Sequence, residues 1–149
     1  MGQEGREELG VEVVNLETAF RRGQVVSNHL ANKPQTERMI RGGHFESLRP
    51  GATFINTGRG ATVAEDEMIE VLHRRPDLTA LLDVTLPEPP TAESALYELP
   101  NVFLSNHLAG SANKETVRLA DCIIQEFEAW RSGNALRFEV TEDMLERMA

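Results

Sequence analysis

Pro50-Gly51-Ala52-Thr53-Phe54-Ile55-Asn56-Thr57-Gly58-Arg59-Gly60 is the stretch on which the fold turns. Pro50-Gly51 is a turn signal, because proline presets φ and glycine tolerates positive φ. Thr53-Phe54-Ile55 is a short β-favouring run of the kind that makes a buried strand. Asn56-Thr57-Gly58 ends it with polar and small residues. Arg59 then stands between two glycines where the chain leaves the sheet, and those glycines let a ligand come close to the backbone. A planar, always-charged fork at a strand's carboxyl end suits bidentate capture of a carboxylate or phosphate. Taken alone, the segment fits a solvated loop arginine equally well.

Working outward, Val25-Val26-Ser27-Asn28-His29-Leu30 reads as a preceding strand and Val11-Glu12-Val13-Val14 as a weaker one. Leu16 to Arg22 gives one or two helical turns stopped by Gly23. Gln35 to Ile40 and His44 to Leu48 read as two short helical pieces broken by Gly42-Gly43. On the other side, Met68, Ile69 and Leu72 give Glu65 to Arg75 a helical apolar face, with Glu65, Asp66 and Glu67 in a first turn that favours negative charge. Leu78 to Val84 is nearly all apolar, as expected for a strand covered on both faces. Leu86-Pro87-Glu88-Pro89-Pro90 is excluded from helix and central strand by its prolines. Ser94 to Leu99 reads as a helical turn and Val102-Phe103-Leu104-Ser105 as a fourth strand. A long helix opened by Ser111 or Asn113 runs to about Arg131. Its stripe of Val117, Ala120, Ile123, Ile124, Phe127 and Trp130 is expected to be core. Gly133-Asn134 ends it, and Thr141 to Ala149 reads as a short helix capped by Thr141.

Strands separated by crossovers of about a dozen residues or more indicate a parallel α/β sheet. The carboxyl ends of parallel strands share one edge, where ligands bind. Arg59, Asp83, Glu88 and His107 lie at or just past such ends, and His29 lies at another. Each has a structural explanation alone: His107 as a helix cap, Glu88 as a solvated side chain, Asp83 as a turn residue. On one edge they compose an acid/base pair and an anion clamp. A carboxylate beside an imidazole favours its protonated form, which suits proton transfer near neutral pH. The set fits proton transfer at a carbinol or carbonyl next to a carboxylate.

Composition bounds the partners. The 149 residues carry 24 acidic against 15 basic side chains, a net charge of −9, which argues against nucleic acid and anionic membranes. No apolar run is long enough to span a bilayer, and Met1 to Gly10, rich in Glu and Gly and without an apolar run, is not expected to act as a leader. The one cysteine, Cys122, is expected to be a small core residue, consistent with a reduced, cytoplasmic setting. No metal site is expected.

Three ordered blocks carry a resemblance: Ile55-Asn56-Thr57-Gly58-Arg59-Gly60; Leu82-Asp83-Val84 with Pro87-Glu88-Pro89; and Leu99-Pro100-Asn101-Val102-Phe103-Leu104-Ser105-Asn106-His107-Leu108-Ala109-Gly110. They resemble the signature blocks of the D-isomer-specific 2-hydroxyacid dehydrogenases, and Val25 to Ile40 resembles the block before them. The resemblance implies that Arg59 holds a substrate carboxylate, His107 is the general acid/base and Glu88 its hydrogen-bonded partner. It implies NAD or NADP as cofactor, with Asp83 at the nicotinamide and Leu30, Ala31, Thr57, Gly58, Arg59, His107 and Gly110 lining the pocket. Asn28, Leu30-Ala31-Asn32, Ala64 and Asn106 depart from the family's usual residues.

The family's G-x-G-x-x-G turn and its ribose-reading acid are not in this sequence. The expected architecture is therefore α/β, a partial Rossmann-like parallel sheet with flanking helices and a long C-terminal helix. Residues 1–133 form the later part of the NAD-binding domain, and 134–149 a tail that rests on an absent substrate domain. The expected function is transfer of a hydride between NAD(P)H and a 2-oxo or 2-hydroxy acid. The expected assembly is a homo-oligomer, or a pairing with a chain that supplies the amino-terminal half. The alternative is a truncated, non-catalytic homologue acting as a binding or interaction module.

Overall fold

The computed structural model describes residues 10–110 and 112–145. Four parallel strands form one sheet in the order β1 (Val25–Asn28), β2 (Thr53–Asn56), β3 (Thr79–Leu82), β4 (Val102–Leu104). Gly51, at φ +70°, makes the turn into β2 that the Pro50-Gly51 pair predicts. Helix α1 (Leu16–Arg22) precedes β1, α2 (Gly42–Glu46) joins β1 to β2, and α3 (Glu65–Arg74) joins β2 to β3. A 3₁₀ turn, Ala95–Tyr97, lies in the last crossover. Helix α4 (Lys114–Arg131) and the short α5 (Glu142–Leu145) follow the sheet.

One sheet face is closed. Phe54 of β2 is fully buried against Phe45 of α2, with ring centroids 4.9 Å apart at 85°, and against Phe20 of α1 at 5.9 Å. Met68 and Leu72 of α3 join them, as the periodicity of that helix predicts, with Val71 buried beside them and Ile69, expected on the same face, only partly buried. Asn101 ties α3 to the sheet: its Nδ2 lies 3.1, 3.2 and 3.0 Å from the carbonyl oxygens of Leu72, Arg75 and Leu78. These include carbonyls at the helix end that have no intrahelical donor.

The opposite face is open. Ile55, Leu81 and Phe103 stand in register across β2, β3 and β4, with Leu81 38% and Phe103 56% exposed. The expectation that Leu78 to Val84 is covered on both faces is therefore corrected to one. Helix α4 buries no residue, and Ile123, Phe127 and Trp130 are 69%, 56% and 66% exposed. The stripe is helical in period but is not core here, since period reports the face and not what covers it. Cys122 is half-buried, outside the core.

Other elements differ locally. Val11 to Val14 forms no strand, and Gln35 to Arg38 is a series of turns, with the Thr36 hydroxyl donating to the Ala31 carbonyl. Gly42-Gly43 begins α2 instead of breaking a helix. The Arg41 amide donates to His44 Nδ1 at 2.9 Å and the Gly42 amide to the Glu67 carboxylate at 2.8 Å, so side chains satisfy its first donors. Asn113, at φ 54°, precedes α4, while Ser111, Met1 to Leu9 and the last residues of the expected Thr141–Ala149 helix lie outside the described residues. No described helix is long and apolar enough to cross a membrane.

Candidate active site

Asp83 leaves β3 at the carboxyl edge of the sheet, 7% exposed. Its carboxylate accepts from the Ser105 hydroxyl, the Leu108 amide at 2.9 Å and the Ala109 amide at 2.8 Å, and its carbonyl accepts the His107 amide at 3.1 Å. Burial pushes the Asp83 carboxyl up, but the Ser105 hydroxyl and the two amides more than offset it and hold the group below the ordinary aspartate range. These bonds fix the turn carrying His107, whose φ of 52° is a conformation that persists only where its surroundings impose it.

His107 Nδ1 lies 2.6 Å from Glu88 Oε1. Both side chains are partly exposed, 44% and 42%. With Nδ1 engaged by a carboxylate, Nε2 is the ring nitrogen left to exchange a proton. A cavity of about 400 Å³ opens beside the pair, bounded by Asp83, Thr85, Pro89, Pro90, Tyr97 and Asn106 among others.

Arg59 stands at the end of the neighbouring strand β2, exposed, with Nη1 donating to the Gly58 carbonyl at 2.7 Å. It makes no hydrogen bond to Glu88, His107 or Asp83 among the described residues, and it does not line their cavity. The structure thus brings Glu88, His107 and Asp83 together and leaves the Arg59 fork folded back on its own loop. The flanking glycines also serve differently from the expectation. A Cβ on Gly60 would lie 2.1 Å from the Thr85 carbonyl oxygen, and one on Gly58 3.2 Å from that of Asn28, so neighbouring backbone fills the space predicted for a ligand.

The Arg59 loop is seated on a buried polar network that sequence reasoning missed. Asn28 Nδ2 donates to Asn56 Oδ1 at 3.0 Å and to the Thr62 hydroxyl at 2.8 Å, and Thr62 donates to the Arg59 carbonyl at 2.8 Å. Asn28 Oδ1 accepts the Leu30 amide at 3.1 Å, so the same network holds the start of the Leu30-Ala31 loop. The only available signal was asparagine at two apolar strand positions. His29, just past β1, is 2.8 Å from the Ser27 hydroxyl and 3.4 Å from that of Thr57. Gly110, at φ +82°, closes the turn after His107.

Residues 2–109 match the family model described as D-isomer specific 2-hydroxyacid dehydrogenase, NAD binding domain. The chain belongs to that family. It is 27% identical over 146 residues to the D-3-phosphoglycerate dehydrogenase of Archaeoglobus fulgidus, covering 98% of this chain and 28% of the relative. It is 30% identical to the glyoxylate reductase of Thermococcus litoralis, covering 95% of this chain and 43% of that enzyme. The holo form of Rhodotorula graminis D-mandelate dehydrogenase superposes with a TM-score of 0.80 at 27% identity, covering 95% of this chain and 41% of that one. The α/β, Rossmann-like fold is thereby established, and the chain spans less than half the length of these relatives.

Proposed function

We propose that this chain is the catalytic-residue half of an NAD(P)-dependent D-2-hydroxyacid dehydrogenase, acting on a 2-oxo or 2-hydroxy acid. The observation that carries the reading is the 2.6 Å contact of His107 Nδ1 with Glu88 at the carboxyl edge, one strand from Arg59. Glu88 keeps the Nδ1 proton in place, so His107 Nε2 gives a proton to the forming alkoxide in reduction and takes it back in oxidation. Arg59, released from the Gly58 carbonyl, clamps the substrate carboxylate with its fork.

The residues suit the nicotinamide end of the cofactor. An ionised carboxylate has about four acceptor positions, and Asp83 uses three, leaving one for a carboxamide N–H. Leu30, Ala31, Thr57, Gly58 and Gly110 offer backbone along the same edge. The nicotinamide supplies or accepts the hydride when bound. The pyrophosphate normally rests on a glycine turn at a helix start, and no such turn occurs in this sequence.

Residues 1–133 are read as the later part of the NAD-binding domain and 134–149 as a tail for a substrate domain. The open sheet face, the bare α4 stripe and the edge of β1, where Val25 is 59% exposed, are surfaces for further polypeptide. A second copy or a chain carrying the amino-terminal half would cover them. Alone, the 149-residue chain should bind NADH weakly in calorimetric titration and show no steady turnover. Complemented with the amino-terminal half of a relative, it should oxidise NADH in the presence of 2-oxo acids. His107→Ala should then lower turnover by about 10²–10⁴-fold. A complemented enzyme indifferent to both His107→Ala and Arg59→Lys would overturn the reading.

A further inference from the structure

The loop that carries Glu88 has little backbone with which to hold itself. Pro87, Pro89 and Pro90 have no N–H, so from Leu86 to Pro90 only Leu86 and Glu88 can donate. The Leu86 amide donates to Glu65 Oε2 at 3.0 Å, across 21 residues of sequence. Glu65 is the first residue of α3, and its side chain reaches out of the helix to this loop. On the same side, the backbone of Gly60 lies so close to the Thr85–Leu86 peptide that a Cβ there would sit 2.2 Å from the Thr85 carbonyl carbon and 2.8 Å from the Leu86 nitrogen. The segment running from Arg59 to Glu65 thus holds the Thr85–Leu86 peptide at two points, two residues before Glu88. Two further bonds steady the loop from within and from the crossover: Thr85 Oγ1 to the Pro87 carbonyl at 2.8 Å, and the Tyr97 hydroxyl to the Pro90 carbonyl at 3.3 Å.

We propose that Glu65, seconded by Gly60, is a positioning residue for the Glu88–His107 pair: by accepting the Leu86 amide it sets where Glu88 stands against the imidazole. The mechanistic value of this rests on the reading of Glu88–His107 as the acid/base pair. The same contact links the Arg59 loop to the Glu88 loop, so the anion clamp and the proton-transfer pair are built on one strut. Burial pushes the Glu65 carboxyl above its ordinary value, while the Leu86 amide pulls the other way. The group is kept half-buried at this junction despite the cost of desolvating it.

The test is made on the intact 149-residue chain by NMR, without cofactor or substrate. Glu65→Ala should raise exchange of the Leu86 amide by about tenfold or more, the factor that losing a bond to a charged acceptor implies. It should also abolish the low-field Nδ1–H signal of His107, which reports its hydrogen bond to Glu88. Glu65→Gln, whose side-chain carbonyl can still accept, should restore both, a rescue that a merely helix-stabilising role would not require. Should Glu65→Ala fail to fold, the unmodified chain still decides: the Leu86 amide shift must follow the titration of the Glu65 carboxyl carbon. An unperturbed His107 signal in folded Glu65→Ala, or a Leu86 amide blind to Glu65, overturns the proposal. Neither readout depends on hydride transfer, so the dehydrogenase reading stands or falls separately on the complemented enzyme.

Discussion

The two faces of the sheet are built from similar residues and treated oppositely. Phe54 on one side is completely enclosed by α1, α2 and α3, while Phe103 on the other is 56% exposed beside Leu81 and Ile55. Helix α4 repeats the contrast within one element, since Ile123, Phe127 and Trp130 have core chemistry and surface positions. Sidedness of this kind teaches that an apolar pattern specifies a face to be covered, whereas the identity of the cover is a property of whatever polypeptide lies next to it.

The largest effect should separate the two faces directly. Phe54→Ala should cost about 3–5 kcal/mol, as expected for deleting a fully enclosed aromatic ring. Phe127→Ala on α4 should stay within about 0.5 kcal/mol in the isolated monomer, where the ring has little to lose. Urea unfolding of both variants measures the difference. Equal losses would mean that α4 is packed in solution and that the open face is not open.

Next in size is Asp83→Asn. It replaces a carboxylate that accepts three donors with an amide offering one acceptor oxygen, at a cost of about 2 kcal/mol. The carboxyl of Asp83 lies below its ordinary value of 3.8 in the folded chain. Its contribution is therefore fully present above pH 3.8 and is lost as pH falls through the lower folded value. The variant should be less stable near neutrality and should lack that part of the acid-induced loss. Unfolding followed at neutral and acidic pH checks both halves, and an unchanged acid limb would break the assignment.

A smaller effect tests what covers the open side. Trp130→Ser with Phe127→Ser should leave folding nearly unchanged but shift sedimentation toward monomer if a second copy shields the α4 stripe. Retention of the same assembled mass would place any association at the β1 edge instead, where Val25 is exposed.

What could be read in advance divides along the same line. The β2, β3 and β4 runs were legible because a short apolar run bounded by turn residues has one economical use in a parallel sheet. Arg59, Glu88 and His107 stood out because parallel topology sends every strand end to one edge, and their spacing after those runs needs no tertiary knowledge. The supports beneath them were not legible. Asn28 reaches Thr62 across 34 residues and Glu65 reaches Leu86 across 21, and neither pairing leaves a local period. A glycine beside Arg59 suggests ligand space, but at Gly60 the Thr85 carbonyl occupies it. The α4 stripe carries a core-like pattern without being core, because its helical period is the same whichever molecule buries it.

The smallest expected effect lies at the other end of the closed layer, where Asp77 joins the end of α3 to the turn before β2. Arg75 grips it with Nε to Oδ1 and Nη2 to Oδ2, both at 2.8 Å, and the Gly51 amide adds a bond at 3.2 Å. The Arg75 hydrogen bonds outweigh the opposing effect of burial and, with the Gly51 amide and the Arg75 charge adding to them, lower the Asp77 carboxyl from 3.8 to about 2. A depressed folded value means that the contribution is present above pH 3.8 and lost as pH falls toward about 2. Asp77 is exposed and Arg75 half-buried, and the pair is screened by salt, so its worth near neutrality is slight. Asp77→Asn should accordingly cost little at neutral pH and remove an equally small part of the loss of stability between about pH 4 and pH 2, and 1 M salt should erase most of the difference. Asp83→Asn should resist that salt, because its carboxylate is enclosed and held by backbone. If the two variants respond to salt alike, the distinction between the solvent-exposed rim of the closed layer and the enclosed Asp83 carboxylate does not hold.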